Sequence, residues 1–127
     1  MNLLLDTHAM LWFVSGDSMM SKCSRDAIEN PETVNYVSMA SWWEIAIKCS
    51  LNKLVIGDTV EDFMTKRIDE GFRVLPVELA HLHPLATLPF HHRDPFDRLI
   101  ICQATKENMP ICTGDASFSS YDIEVIW

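Results

Sequence analysis

Apolar residues follow two different spacings along this chain. Leu3, Leu4 and Leu5 form a short run that ends on Asp6, the mark of a buried strand over residues 2–6. Residues 33–37 are β-branched and aromatic and predict a second strand. Residues 72–77, 110–113 and 123–127 predict three more. Between the strands the period changes. Trp42, Ile45, Ala46 and Cys49 fall at the i, i+3, i+4, i+7 positions of a helix, and Trp43 and Ile47 widen its apolar face towards nearly full burial. Residues 60–70 predict a helix with Val60, Phe63, Met64 and Ile68 inward and Gly71 closing it. Residues 9–14, 22–29, 78–85 and 96–107 supply the other helices.

Strands that alternate with helices imply right-handed crossovers and a parallel sheet covered on both faces. The expected fold is therefore α/β, with helices on either side of a parallel sheet. There are no internal repeats and no linker-like tracts, so residues 1–127 are expected to form a single domain. In such sheets ligands bind beyond the carboxyl ends of the strands.

Composition adds limits. The chain is 48% hydrophobic and 22% charged, ordinary for a soluble globular protein. No apolar run reaches the ~20 residues of a membrane helix. The opening MNLLLDTH lacks a basic n-region and meets Asp6 at once, so no signal peptide is expected and the cytoplasm is the expected location. Cys23, Cys49, Cys102 and Cys112 lie far apart with no C-x-x-C pair, which suggests buried free thiols. Eighteen acids against 10 bases leave a net charge of −8. That argues against a non-specific nucleic-acid binder, unless a cation or a basic partner offsets the acids.

Four of those acids fall at one edge of the expected sheet. Asp6 ends the first strand, Glu44 and Asp97 open helices, and Asp115 follows the fourth strand. A fifth, Asp94, sits just outside. Each has a local explanation. Ser41 to Glu44 matches a capping box. Asp94 with Pro95 matches a helix N-cap with proline at N1. Asp6 and Asp115 are also placed to cap short helices. Together they need more. Two carboxylates ~4 Å apart repel by roughly 4 kcal/mol at an effective dielectric of ~20. Four in one crevice call for a cation. Oxygen ligands without organised His or Cys point to Mg²⁺ or Mn²⁺, which suit phosphodiester hydrolysis.

LLLDTHAMLW (3–12), SWWEIAIK (41–48), HRDPFDRLIICQA (92–104) and TGD (113–115) together resemble the PIN-domain ribonucleases, in particular the VapC-like toxins of toxin–antitoxin pairs. The resemblance runs from Leu3 to Trp127. It implies a three-layer fold with a central parallel sheet of about five strands. It implies RNA cleavage with Mg²⁺ or Mn²⁺ held by Asp6, Glu44, Asp97 and Asp115, with Thr113 and Ser41 as supporting residues. It further implies a cognate antitoxin and a toxin homodimer as partners. A PIN nuclease of RNA or DNA processing, and an inactive PIN binding module, are the alternative readings. The resemblance departs at Gly114, where relatives often carry a basic residue.

Other side chains are weighed against this frame. His8 stands where an aspartyl-phosphate phosphatase would carry a second acid, and no lysine ends the last strand as a receiver domain requires. His81, His83, His91 and His92 lack the spacing of a zinc site and are expected at the surface or in loops. His91, His92, Arg93 and Arg98 are candidates for RNA phosphate contacts, with local salt bridges as the competing reading. For Lys48 the competing reading is an i, i+4 pair with Glu44. Met10, Trp12, Phe13, Met19, Met20, Trp42 and Trp43 are expected mostly in the core, with some exposed to a protein partner.

Overall fold

In the computed structural model, which describes residues 1–127, Leu3, Leu4 and Leu5 are all fully buried along β1 (Asn2–Leu5). Leu3 and Leu5 belong to one apolar cluster and Leu4 to another, as the two-residue period of a strand requires. β1 is thus covered on both faces. The remaining strands are β2 (Val34–Ser38), β3 (Arg73–Leu75), β4 (Ile111–Cys112) and β5 (Val125–Ile126). All neighbours pair in parallel, in the order β3-β2-β1-β4-β5.

Six helices complete a three-layer α/β fold: α1 (Thr7–Ser15), α2 (Lys22–Glu29), α3 (Met39–Ser50), α4 (Val60–Asp69), α5 (Leu79–Leu85) and α6 (Pro95–Glu107). A 3₁₀ helix spans Ala116–Ser120. One core sets Leu3, Leu5, Val37 and Cys112 against Met10, Ile28, Trp42, Ile45 and Phe63 from α1 to α4. The other sets Leu4, Leu75 and Ile111 against Ile100, Ile101 and Ala104 of α6 and against Phe118. The chain builds outward from β1 to β2 and β3, then crosses to β4 on the far side of β1. That reversal opens a crevice between β1 and β4 at their carboxyl ends.

Several sequence expectations need correction. The helix expected to start near Ser41 begins at Met39, because Ser38 caps it by accepting the Ala40 N–H at 3.0 Å. Ser41 is therefore no cap. It is fully buried inside the helix, its hydroxyl without a partner, and it forms no capping box with Glu44. Trp42 is buried, but Trp43 points outward and is 61% exposed. Ile68 of α4 is exposed as well, since the helical stripe is narrower than the run of apolar residues, and Met19 is exposed in the turn between α1 and α2. All four cysteines are free, and Cys23 is exposed. Burial pushes the Cys112 thiol up to about 12, so it stays an inert core group.

Candidate functional site

Asp6 sits where β1 turns into α1. It is buried, and it caps α1 by accepting the Ala9 N–H on Oδ1 at 2.7 Å. The β1–β4 register places Leu5 beside Cys112. The residues that follow, Asp6 and Thr113, are consequently neighbours. Thr113 Oγ1 donates to Asp6 Oδ2 at 2.5 Å and accepts the Asp115 N–H at 3.1 Å. One buried hydroxyl thereby ties two of the acids together. Asp115 in turn caps the 3₁₀ helix through Ser117, whose N–H and hydroxyl both donate to Oδ1.

Glu44 enters from α3 and is 4% exposed. Thr7 Oγ1 donates to one of its oxygens at 2.6 Å and Lys48 Nζ to the other at 2.7 Å. The local pairing expected as the alternative for Lys48 is the arrangement present. Thr7 carries no signal of its own in the sequence, although it lies inside the DTH stretch. A threonine after a strand-ending aspartate reads only as a helix opener until the fold brings α3 beside it.

Asp97 enters from the first turn of α6. Asp94 caps that helix, accepting the Asp97 N–H at 3.0 Å, with Pro95 at N1. The Asp97 carboxyl lacks the tethers of its neighbours. The one basic group paired with it is His92, whose Nε2 lies 3.7 Å away.

The pKa pattern shows that these groups share one field. Asp97 is pushed up to about 7, first by burial and then by the charges of Asp94, Asp6, Glu44 and Asp115. Asp6 is also raised by burial, against the bonds from Thr113 and Ala9. Burial works to raise Asp115, but the Ser117 bonds together with His92 and His8 bring it below the ordinary value. His92 is lowered by its own burial. The donor set at the crevice is all carboxylate oxygen, the set that hard divalent cations prefer. By donor chemistry the residues present fit a hard divalent cation.

Other candidate residues are placed differently from expectation. Arg98 is not at the rim. It is 5% exposed and donates to the carbonyls of Leu88 and Pro89, both at 2.9 Å, with the Phe90 ring 3.8 Å from its guanidinium. Its task is to hold the loop before α6. His92 is half-buried, its ring against Phe118 and Tyr121 and its Nδ1 2.9 Å from the Tyr121 hydroxyl. His91 and Arg93 are exposed in the loop before α6. His81, expected at the surface, is fully buried. Its Nδ1 accepts the Glu78 N–H at 3.0 Å, so the ring proton sits on Nε2, which donates to Glu107 at 2.8 Å. Glu78, His81 and Glu107 gather within 4.8 Å, but these bonds explain the trio as a joint between α5 and α6.

The family model of the PIN domain matches residues 3–124. No curated protein sequence matches the chain. Among solved structures, the chain is similar to VapBC2 from Rickettsia felis bound to a promoter DNA fragment. The TM-score is 0.75 at 12% identity, over 98% of this chain and 97% of the other. A toxin–antitoxin complex from Klebsiella pneumoniae gives 0.67 at 15% identity, over 98% and 96%. VapBC-1 from nontypeable Haemophilus influenzae gives 0.67 at 16% identity, over 98% and 96%. Identity this low carries the fold alone.

Proposed function

The chain belongs to the PIN-domain family, and from that premise we propose that it is a divalent-metal-dependent ribonuclease and the toxin of a toxin–antitoxin pair. The observation that carries the nuclease reading is Asp97. Its carboxyl is pushed up to about 7 among four other acids, with no lysine or arginine paired to it and only His92 beside it at 3.7 Å. A fold does not keep such a group at a sheet's ligand-binding edge without a reason.

In this reading Asp6, Glu44, Asp97 and Asp115 hold Mg²⁺ or Mn²⁺. When bound, the ion supplies a more acidic water as nucleophile and offsets charge developing on the phosphate. The chain's own groups prepare the site. Thr113 and the Ala9 amide fix both oxygens of Asp6. Thr7 and Lys48 fix both oxygens of Glu44, and Lys48 lessens the repulsion while the site is empty. Asp97, protonated up to about 7, would give up its proton to hold the ion. No serine, cysteine or histidine nucleophile enters.

The toxin assignment is supported by the solved structures the chain resembles, which are toxin–antitoxin complexes. The protein partners in this reading are a cognate antitoxin and a second copy of the chain. A groove of about 550 Å³ between α3 and α4, lined only by apolar side chains such as Met39, Trp43 and Ile68, is surface that a protein partner would cover.

The test is cleavage of RNA by purified protein carrying Asp6→Asn, Glu44→Gln or Asp97→Asn. Each is expected to lose activity while keeping its fold. Near-wild-type cleavage by any of them removes that residue from the site. An inactive binding module would show no Mn²⁺-dependent cleavage at all and no Mn²⁺-dependent rise in melting temperature.

A further inference from the structure

Three of the four crevice acids are held by donors of the chain. Asp6 accepts from Thr113 and the Ala9 amide, Glu44 from Thr7 and Lys48, and Asp115 from the amide and hydroxyl of Ser117. The Asp97 carboxyl has no such tether. The basic nitrogen beside it is Nε2 of His92, 3.7 Å from Oδ2. That nitrogen is buried and has no hydrogen-bond partner either. An unused nitrogen and an untethered carboxyl thus face each other.

His92 is placed to present a proton there. The Tyr121 hydroxyl accepts the His91 N–H at 3.2 Å and lies 2.9 Å from His92 Nδ1. A hydroxyl that already accepts an amide has one proton to give, and Nδ1 is the acceptor within reach. Nδ1 therefore carries the lone pair and Nε2 the ring proton. The ring is held in place by Phe118 and Tyr121, with centroids 5.3 and 5.4 Å away. Both of those residues are buried, and both follow Asp115. His92 so links the segment behind one acid to the carboxyl of another. Burial also takes Nε2 out of reach of a phosphate at the rim, which sets aside RNA contact as the role of this histidine.

We propose that His92, oriented by Tyr121, is a positioning residue for Asp97: its Nε2–H donates to the Asp97 carboxylate and fixes the rotamer that meets the ion. A charge-assisted bond of about 2.8 Å needs only a small turn of the untethered Asp97 side chain. Hydrogen-bond partners of metal ligands typically contribute about 10–100-fold to metal affinity. In this role His92 touches neither ion nor substrate. The assignment rests on the metal-dependent reading above.

Two measurements at pH 8 test it. The first is Mn²⁺ affinity, read from the EPR signal of the free ion. His92→Phe keeps a ring against Phe118 and Tyr121 but has no donor, and is expected to bind Mn²⁺ about tenfold more weakly than wild type. His92→Gln returns an N–H near the Nε2 position and is expected to recover most of that loss. Tyr121→Phe is expected to fall between wild type and His92→Phe. The second is ¹⁵N NMR of the histidine side chains in EDTA, which needs no ion. His92 is expected to carry its proton on Nε2, and that resonance to move in Asp97→Ala. Equal Mn²⁺ affinity in wild type and His92→Phe overturns the proposal, as does a loss that His92→Gln leaves unrecovered. Mn²⁺ binding by wild type with an unmoved resonance overturns it and keeps the metal reading. No Mn²⁺ binding by wild type with a resonance that moves sinks the metal reading while the His92–Asp97 contact stands.

Discussion

The Asp97 carboxyl holds its proton up to about 7, against 3.8 for an ordinary aspartate, because burial and the surrounding acids oppose its charge. Between those two values the folded state binds a proton that the unfolded chain has lost. Its contribution to stability is therefore present at low pH and is lost as pH rises through about 7. Asp6 acts in the same direction. In EDTA, melting temperatures of wild type and Asp97→Asn at pH 5 and pH 8 measure this. Wild type is expected to fall relative to the variant as pH rises, and a constant difference would contradict the assignment. Mn²⁺ must displace the same proton, so its affinity is expected to drop below pH 7. Asp94, three residues earlier, behaves differently. Asn also caps helices, so Asp94→Asn is expected to cost about 1 kcal/mol or less and to leave activity largely intact.

Two joints between elements matter for the crevice. Arg98 fastens the loop before α6 through the carbonyls of Leu88 and Pro89. Arg98→Ala removes two charge-assisted bonds and the stacking on Phe90, an expected loss of about 2–3 kcal/mol by chemical denaturation. Any effect on RNA affinity should leave its salt slope unchanged, since Arg98 faces carbonyls and not solvent. The second joint is Gly114, between Thr113 and Asp115. A Cβ there would lie 2.8 Å from the Trp127 ring, which packs in turn on Trp12. Any side chain at this position would have to displace that indole. Gly114→Ala is expected to cost about 1 kcal/mol or more, and less in a Trp127→Ala background. Additive losses in the double variant would show that the two do not meet.

For the molecule as a whole, the acids and the apolar grooves set the response to ligands. Mn²⁺ at 100 times its dissociation constant should stabilise the fold by about 2.7 kcal/mol. A melting series with Mn²⁺ and then excess EDTA reads this directly, and the gain should vanish in Asp97→Asn. The exposed Trp43 and Met39 predict self-association or partner binding through α3. Sedimentation of wild type against Trp43→Glu, alone and with the co-expressed partner, checks it. Identical profiles would remove this face from any interface.

Periodicity along the chain determined the element order, the parallel sheet and the apolar strand at its centre, because burial on both faces leaves a run such as Leu3 to Leu5 no other use. It also marked Asp6, Asp97 and Asp115 as helix-opening acids, since capping is a local matter of hydrogen bonds within three residues. The start of α3 is ambiguous in the sequence for the same reason. Ser38 and Ser41 are both able to cap, and only the end of β2 decides between them. Tertiary structure alone decided the rest. The β1–β4 register brought Thr113 onto Asp6, and the packing of α3 against α1 brought Thr7 onto Glu44. Arg98 was drawn inward by the carbonyls of Leu88 and Pro89, and His81 by the Glu107 carboxylate of the neighbouring helix. The shift of Asp97 is likewise a property of the assembled crevice, because desolvation and the summed field of four other carboxylates exist only once the chain has folded.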